Sequence, residues 1–168
     1  MSKKNPVFLE GNKVFLRGLL AEDLEGSYFQ WLNDQEVCQY NSHGRFPSSK
    51  EKMKSYYDFA TQTKNDLILA IVSKESNHHI GNISLQNINW IDRSAEFAII
   101  VGEKTAWGTG AGREAADLIV NHGFKQLNLE RIYCGTSHRN QGMIKLAEHL
   151  GMVQEGRRRS AIFKNGQY

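Results

Sequence analysis

Apolar residues recur along this chain with two different periods. Leu24, Tyr28, Trp31 and Leu32 fall at helical spacing. A first helix is predicted from Ala21-Glu22-Asp23, where early acids suit the positive end of the helix dipole, to about Asn33-Asp34. A short second helical turn follows through Val37 and Tyr40, and a serine cap in Pro47-Ser48-Ser49-Lys50-Glu51 opens a helix carrying Met53, Tyr56, Tyr57, Phe59 and Ala60. Lys13 to Arg17 has strand composition, and the middle of the chain is built of buried-strand runs at 66–72, 79–85 and 95–101. Their short connections predict an antiparallel meander. The period then returns to helical, with Ala115, Leu118 and Ile119 on one face and Asp117, Asn121 and Lys125 on the other. Residues 131–136 read as a strand, and Asn140 is placed to cap a helix burying Met143, Leu146, Ala147 and Leu150. Gly151 stands in the terminating position of that helix. Residues 152–159 and 161–163 read as strand, with Asn165-Gly166 as a hairpin turn.

The sharpest feature lies where the third strand run meets the amphipathic helix. Trp107-Gly108-Thr109-Gly110-Ala111-Gly112-Arg113 places three alternate glycines at a strand-to-helix turn. Glycine admits backbone conformations closed to other residues and lets a ligand approach the main chain, and N–H groups at a helix start point at an anion. A phosphate cradle is the functional reading; a tight turn alone is the bland one. No lysine follows Gly112 as a Walker loop requires, and Arg113 stands where a dinucleotide fingerprint beginning at Gly108 needs glycine.

Composition narrows the setting. The 168 residues suffice for one domain with a real core, and 40% hydrophobic with 23% charged residues is ordinary for a soluble globule. A net charge of +3 suits an anionic small ligand and is too small to argue for nucleic acid. Two distant cysteines, Cys38 and Cys134, lack metal-ligand spacing, and a reduced cytoplasm is the simplest compartment. The N-terminus has no apolar leader region, and no run approaches a membrane span. The adjacent pair His78-His79 lacks the spacing of helical metal ligands, so no metal is predicted.

The order of these elements, with Thr105-Ala106-Trp107-Gly108-Thr109-Gly110 as the loop and Asn140 to Met152 closing in Leu150-Gly151-Met152, resembles the GNAT superfamily of acetyl-CoA-dependent N-acetyltransferases. Trp-Gly-x-Gly-x-Gly-x-Glu-Ala at 107–115 and Trp31-Leu32-Asn33-Asp34 resemble the branch of ribosomal-protein alanine, spermidine and sugar-nucleotide amine acetyltransferases. The resemblance implies an α/β fold with a mixed, mostly antiparallel sheet and helices on both faces. It implies residues 1–12 as an N-terminal extension and 13–168 as a single domain. It also implies a further strand after Tyr168, missing here or supplied by a partner chain through strand exchange in a homodimer.

By the same resemblance, main-chain N–H groups of Trp107, Gly108, Thr109, Gly110, Ala111, Gly112 and Arg113 would hold the coenzyme diphosphate, with Arg113 either adding charge or standing solvated. The backbones of Ile99, Ile100 and Val101 would pair with the pantetheine beside a splay in the sheet. Acetyl transfer needs a neutral amine and hence a base, for which Glu96 is the candidate, directly or through water. The N–H of Ile100 or Val101 would meet the oxyanion. Asn140 would hydrogen-bond the pantetheine, cap its helix, or do both. Many relatives carry a tyrosine where Ala147 stands and a serine where Met143 stands, so Tyr133 or solvent becomes the candidate general acid. Cys134 reads as a small buried hydrophobe rather than a nucleophile. The acceptor is a primary amine on an amino-sugar nucleotide, a protein N-terminus or a polyamine, framed by the first helix, the 42–47 loop and the C-terminal hairpin. The alternative to catalysis is an acyl-CoA-binding module, which Ala147 favours.

Overall fold

The computed structural model describes residues 6–168. The start of the expected N-terminal extension, Met1 to Asn5, lies outside the described residues. Among the described residues six strands form one sheet in chain order: β1 (Leu9–Glu10), β2 (Val14–Gly18), β3 (Leu67–Ser73), β4 (His79–Asn89), β5 (Ser94–Val101) and β6 (Arg131–Tyr133). Every neighbouring pair is antiparallel except β5 and β6, which run parallel. A parallel pair requires a crossover, and α3 (Ala111–Lys125) supplies it.

Helices cover both faces. α3 lays Ala111, Ala115, Ala116 and Ile119 against Val14, Leu16, Leu69, Ile71, Ile83, Leu85 and Phe97; its alanines let the helix sit close to the sheet. Met143 and Leu146 of α4 (Gln141–His149) and Leu150, which caps its end, pack onto the same cluster. The opposite face receives Tyr56, Tyr57 and Ala60 of α2 (Lys50–Gln62) on Phe15, Ile68, Ala70 and Val72. Beside it α1 (Tyr28–Trp31) packs Tyr28 and Trp31 with Leu32 and Met53. Covered on both sides, the interior of β3 is a continuous apolar run.

The structure departs from the sequence expectation in four places, one of them β6, which stops at Tyr133 rather than Thr136. Leu9–Glu10, assigned to the extension, pairs with Leu16 and Phe15, so the sheet begins before residue 13. The single helix expected over 21–34 is a 3-10 turn at Ala21–Glu25, an extended Gly26, and then α1. The cause is Asp23, whose carboxylate turns back to the Leu20 N–H and the buried Arg17 guanidinium, fixing the first turn in its tighter form. Residues 152–163 form no strand: they lie mostly exposed, Val153 at 83%, with no ladder among the described residues. Alternating side chains describe a strand's faces but do not supply an edge to pair with. The Asn165-Gly166 turn does form, with both residues at positive φ and Lys164 bridging Gln167.

Candidate active site

The site begins where two strands part. β5 pairs with β6 only at Ser94↔Arg131, Ala95↔Ile132 and Glu96↔Tyr133, yet β5 continues to Val101 along β4. The Arg93 carbonyl accepts from the Arg131 N–H, so odd-numbered residues of β5 direct their peptide groups toward β6. On the other edge, a Cβ on Gly81 of β4 would fall 2.4 Å from the Ile100 oxygen. Ile99 and Val101 therefore offer main-chain groups to the opening, and Ile100 does not. Ile100 was expected to pair with a ligand here or to donate its N–H to an oxyanion; its peptide groups belong to the β4 ladder instead. The Val101 carbonyl accepts the Trp107 indole N–H at 2.8 Å, which ties the mouth of the splay to the loop that follows.

That loop carries positive φ at Gly108 (73°) and Gly110 (88°), and Gly110 caps the start of α3. Among the described residues, the N–H groups of Gly108, Thr109, Gly110, Gly112 and Arg113 donate to no protein acceptor. Two other expected donors are already engaged: the Trp107 N–H on the Lys104 carbonyl at 3.1 Å, and the Ala111 N–H on Thr109 Oγ1 at 3.3 Å. Five such donors stand at the N-terminus of a 15-residue helix, an arrangement that suits an anion, and Arg113 beside them is exposed. Gly112 stays small because a Cβ there would press on Val101 at 3.3 Å.

Glu96 and Tyr133 occupy the last shared rung before the strands separate, and in a parallel pair matched residues share a face. Glu96 is half-buried and accepts a long hydrogen bond from Asn87 Nδ2 at 3.4 Å. Tyr133 is 37% exposed, with the Arg131 guanidinium 5.6 Å from its ring centroid. Asn140 caps α4: its Oδ1 accepts the Met143 N–H at 3.1 Å and its Nδ2 donates to Thr136 Oγ1 at 3.1 Å. Cys134 lies with its Sγ 3.6 Å from the Met152 sulfur. Burial, and next the charge of Glu96, push its thiol up, which opposes thiolate chemistry. His79 Nε2 donates to the Gly81 carbonyl at 2.9 Å, with its ring edge-on to Trp31 and Tyr28.

The loop at 41–47 and the C-terminal turn are stitched together by main-chain contacts. Arg45 donates to the Phe163 carbonyl, and Lys164 donates to the carbonyls of Asn41 and His43. Lys104 pairs with both Asp34 and Glu36. A separate cleft of about 380 Å³, lined by Leu24, Glu25, Glu51 and Tyr57, shares no residue with the splay, where unpaired main-chain groups and the titratable side chains of Glu96 and Tyr133 stand together. Sequence reasoning assigned no role to Lys13 or Glu114, which meet behind the glycine loop. A glutamate four residues into α3 was visible, but its partners lie about a hundred positions earlier.

This fold is that of an acyltransferase that uses acyl-CoA, and residues 13–153 match the Acetyltransferase (GNAT) domain family: the chain belongs to the GNAT acetyltransferases. It is 36% identical over 157 residues to the spermidine N(1)-acetyltransferase of Escherichia coli strain K12, spanning 94% of this chain and 82% of that one. A spermidine N(1)-acetyltransferase of Vibrio cholerae is 35% identical over 98 residues, 58% of this chain and 56% of the relative. Among solved structures, the spermidine N-acetyltransferase of Vibrio cholerae in complex with CoA and spermine superposes with a TM-score of 0.84 at 27% identity, covering 93% of this chain and 90% of that one. The chain is accordingly an acetyl-CoA-dependent N-acetyltransferase acting on an amine.

Proposed function

We propose that acetyl-CoA lies with its diphosphate on the five free N–H groups of 108–113 and its pantetheine along Ile99 and Val101. The thioester then enters the splay between β5 and β6. A primary amine attacks the thioester carbonyl, and Glu96 takes the ammonium proton directly or through water, since only the neutral amine is nucleophilic. The Val101 N–H, directed into the opening, stabilises the oxyanion. The tetrahedral intermediate collapses by breaking the carbon–sulfur bond, and Tyr133 or solvent protonates the departing thiolate. Asn140 holds the start of α4 and has one amide hydrogen left for the pantetheine. The shared rung of Glu96 and Tyr133 at the fork carries this reading: it supports a base and an acid at one opening even though position 147 is alanine.

For the acceptor we propose a polyamine, on the likeness to the spermidine acetyltransferases. A second reading has one supporting observation: Asp34, Glu36 and Glu25 are already paired with Lys104 and Lys50, so a polycation must displace internal ammonium groups there. A neutral or anionic amine, such as an amino-sugar nucleotide or a peptide N-terminus, meets no such competition. Mass spectrometry of products from acetyl-CoA with spermidine, an amino-sugar nucleotide or an N-terminal peptide separates them. Acetylated spermidine supports the first reading, acetylation confined to either other acceptor supports the second, and no acetylated product from any of the three contradicts both.

A further inference from the structure

The N-terminal turn is fastened to the back of the coenzyme loop by more contacts than packing alone calls for. Glu114 of α3 receives three backbone N–H groups, from Asn12 at 2.9 Å, Lys13 at 2.7 Å and Val14 at 2.9 Å. Its approach is so close that a Cβ on Gly11 would lie 2.6 Å from the carboxylate. Burial works to raise the Glu114 pKa, but these N–H donors and the Lys13 charge hold it below its ordinary value, so the turn is gripped by an anion. From that turn the Lys13 ammonium donates to the Thr109 carbonyl at 2.6 Å and lies 3.3 Å from where a Cβ on Gly110 would stand.

We propose that Lys13, seated by Glu114, is a positioning residue for the coenzyme diphosphate, acting through the Thr109–Gly110 peptide. The peptide unit is planar and trans, so its C=O and N–H point in opposite directions. Fixing the Thr109 oxygen on Lys13 turns the Gly110 N–H away from Lys13, toward the ligand side of the loop. Gly110 has φ 88° and no side chain of its own; the Glu114 N–H holds its carbonyl and the Ala106 carbonyl holds the Thr109 hydroxyl, so Lys13 is the contact that fixes the Thr109 oxygen between them. The ammonium also places a positive charge one peptide away from the anion. The inference rests on the reading that the loop holds the diphosphate.

The test compares two donors, acetyl-CoA and S-acetylpantetheine, which lacks the diphosphate and the phosphorylated adenosine beyond it, with wild type, Lys13→Met and Lys13→Arg. Lys13→Met raises KM for acetyl-CoA about fivefold, the scale of one charge-assisted hydrogen bond at an exposed site. It leaves kcat and KM for S-acetylpantetheine unchanged, and Lys13→Arg recovers part of the loss. An unchanged acetyl-CoA KM in Lys13→Met, or equal losses with both donors, overturns the inference. Failure of the underlying reading looks different: wild type itself then shows the same KM for the two donors.

Discussion

Single residues set the charge and geometry of this site. Gly110 holds a left-handed conformation that costs a residue with a side chain about 1–2 kcal/mol, and an alanine Cβ would crowd the Lys13 ammonium. Gly110→Ala is expected to raise KM for acetyl-CoA more than it lowers kcat, measured by initial rates, with a matching loss in urea midpoint. Asp23 makes a pH prediction. Burial works to raise its pKa, but Arg17, then His79 and the Leu20 N–H, pull it well below the ordinary carboxylate value. A carboxylate with a depressed folded-state pKa contributes stability in full above its unfolded value and loses it as pH falls toward the folded value. Urea midpoints taken at about pH 6 and about pH 3 should show a larger acid loss in wild type than in Asp23→Asn, which has no carboxylate to protonate. Removing the partner is harsher: Arg17→Met leaves a buried uncompensated charge and should cost about 3–5 kcal/mol in denaturant unfolding.

Elements were legible where their period was long and their partners local. β3, β4, β5, α2 and α3 follow directly from apolar spacing, and the Asn140 cap from one residue at one place. That cap predicts its own test: Asn140→Ala removes the acceptor for the Met143 N–H and should lower stability by about 1 kcal/mol in thermal or urea melts. The first helix was misjudged because Asp23 scores as a helix-start acid, whereas its buried contact with Arg17 bends the chain before the spacing of Leu24, Tyr28 and Trp31 can act. Residues 152–163 show the same limit from the other side, since strand-like alternation says nothing of an edge to join. Ile100 belonged to the right strand on sequence grounds, but which edge its peptide faces depends on the register with Gly81. The Glu114 and Lys13 contacts joined residues too far apart in sequence for any local pattern to reveal.

For the molecule as a whole, function follows from one change of strand direction. Five antiparallel strands and a parallel sixth leave β5 longer than its last partner, and α3 returns the chain so that its open N-terminus stands at the mouth of that gap. In the proposed function a thioester held there meets Glu96 and Tyr133 at the fork. The order of elements made this architecture readable from the sequence, while the exact rung at which the strands part was not, because it depends on where the short β6 stops. Thiol release from acetyl-CoA with spermidine, followed for wild type and Glu96→Gln across pH, tests the account most directly. The account predicts acceptor-dependent release by wild type, and in Glu96→Gln a fall of about a hundredfold or more that recedes as rising pH deprotonates the amine in solution. Equal rates in the two proteins across the pH range would contradict it.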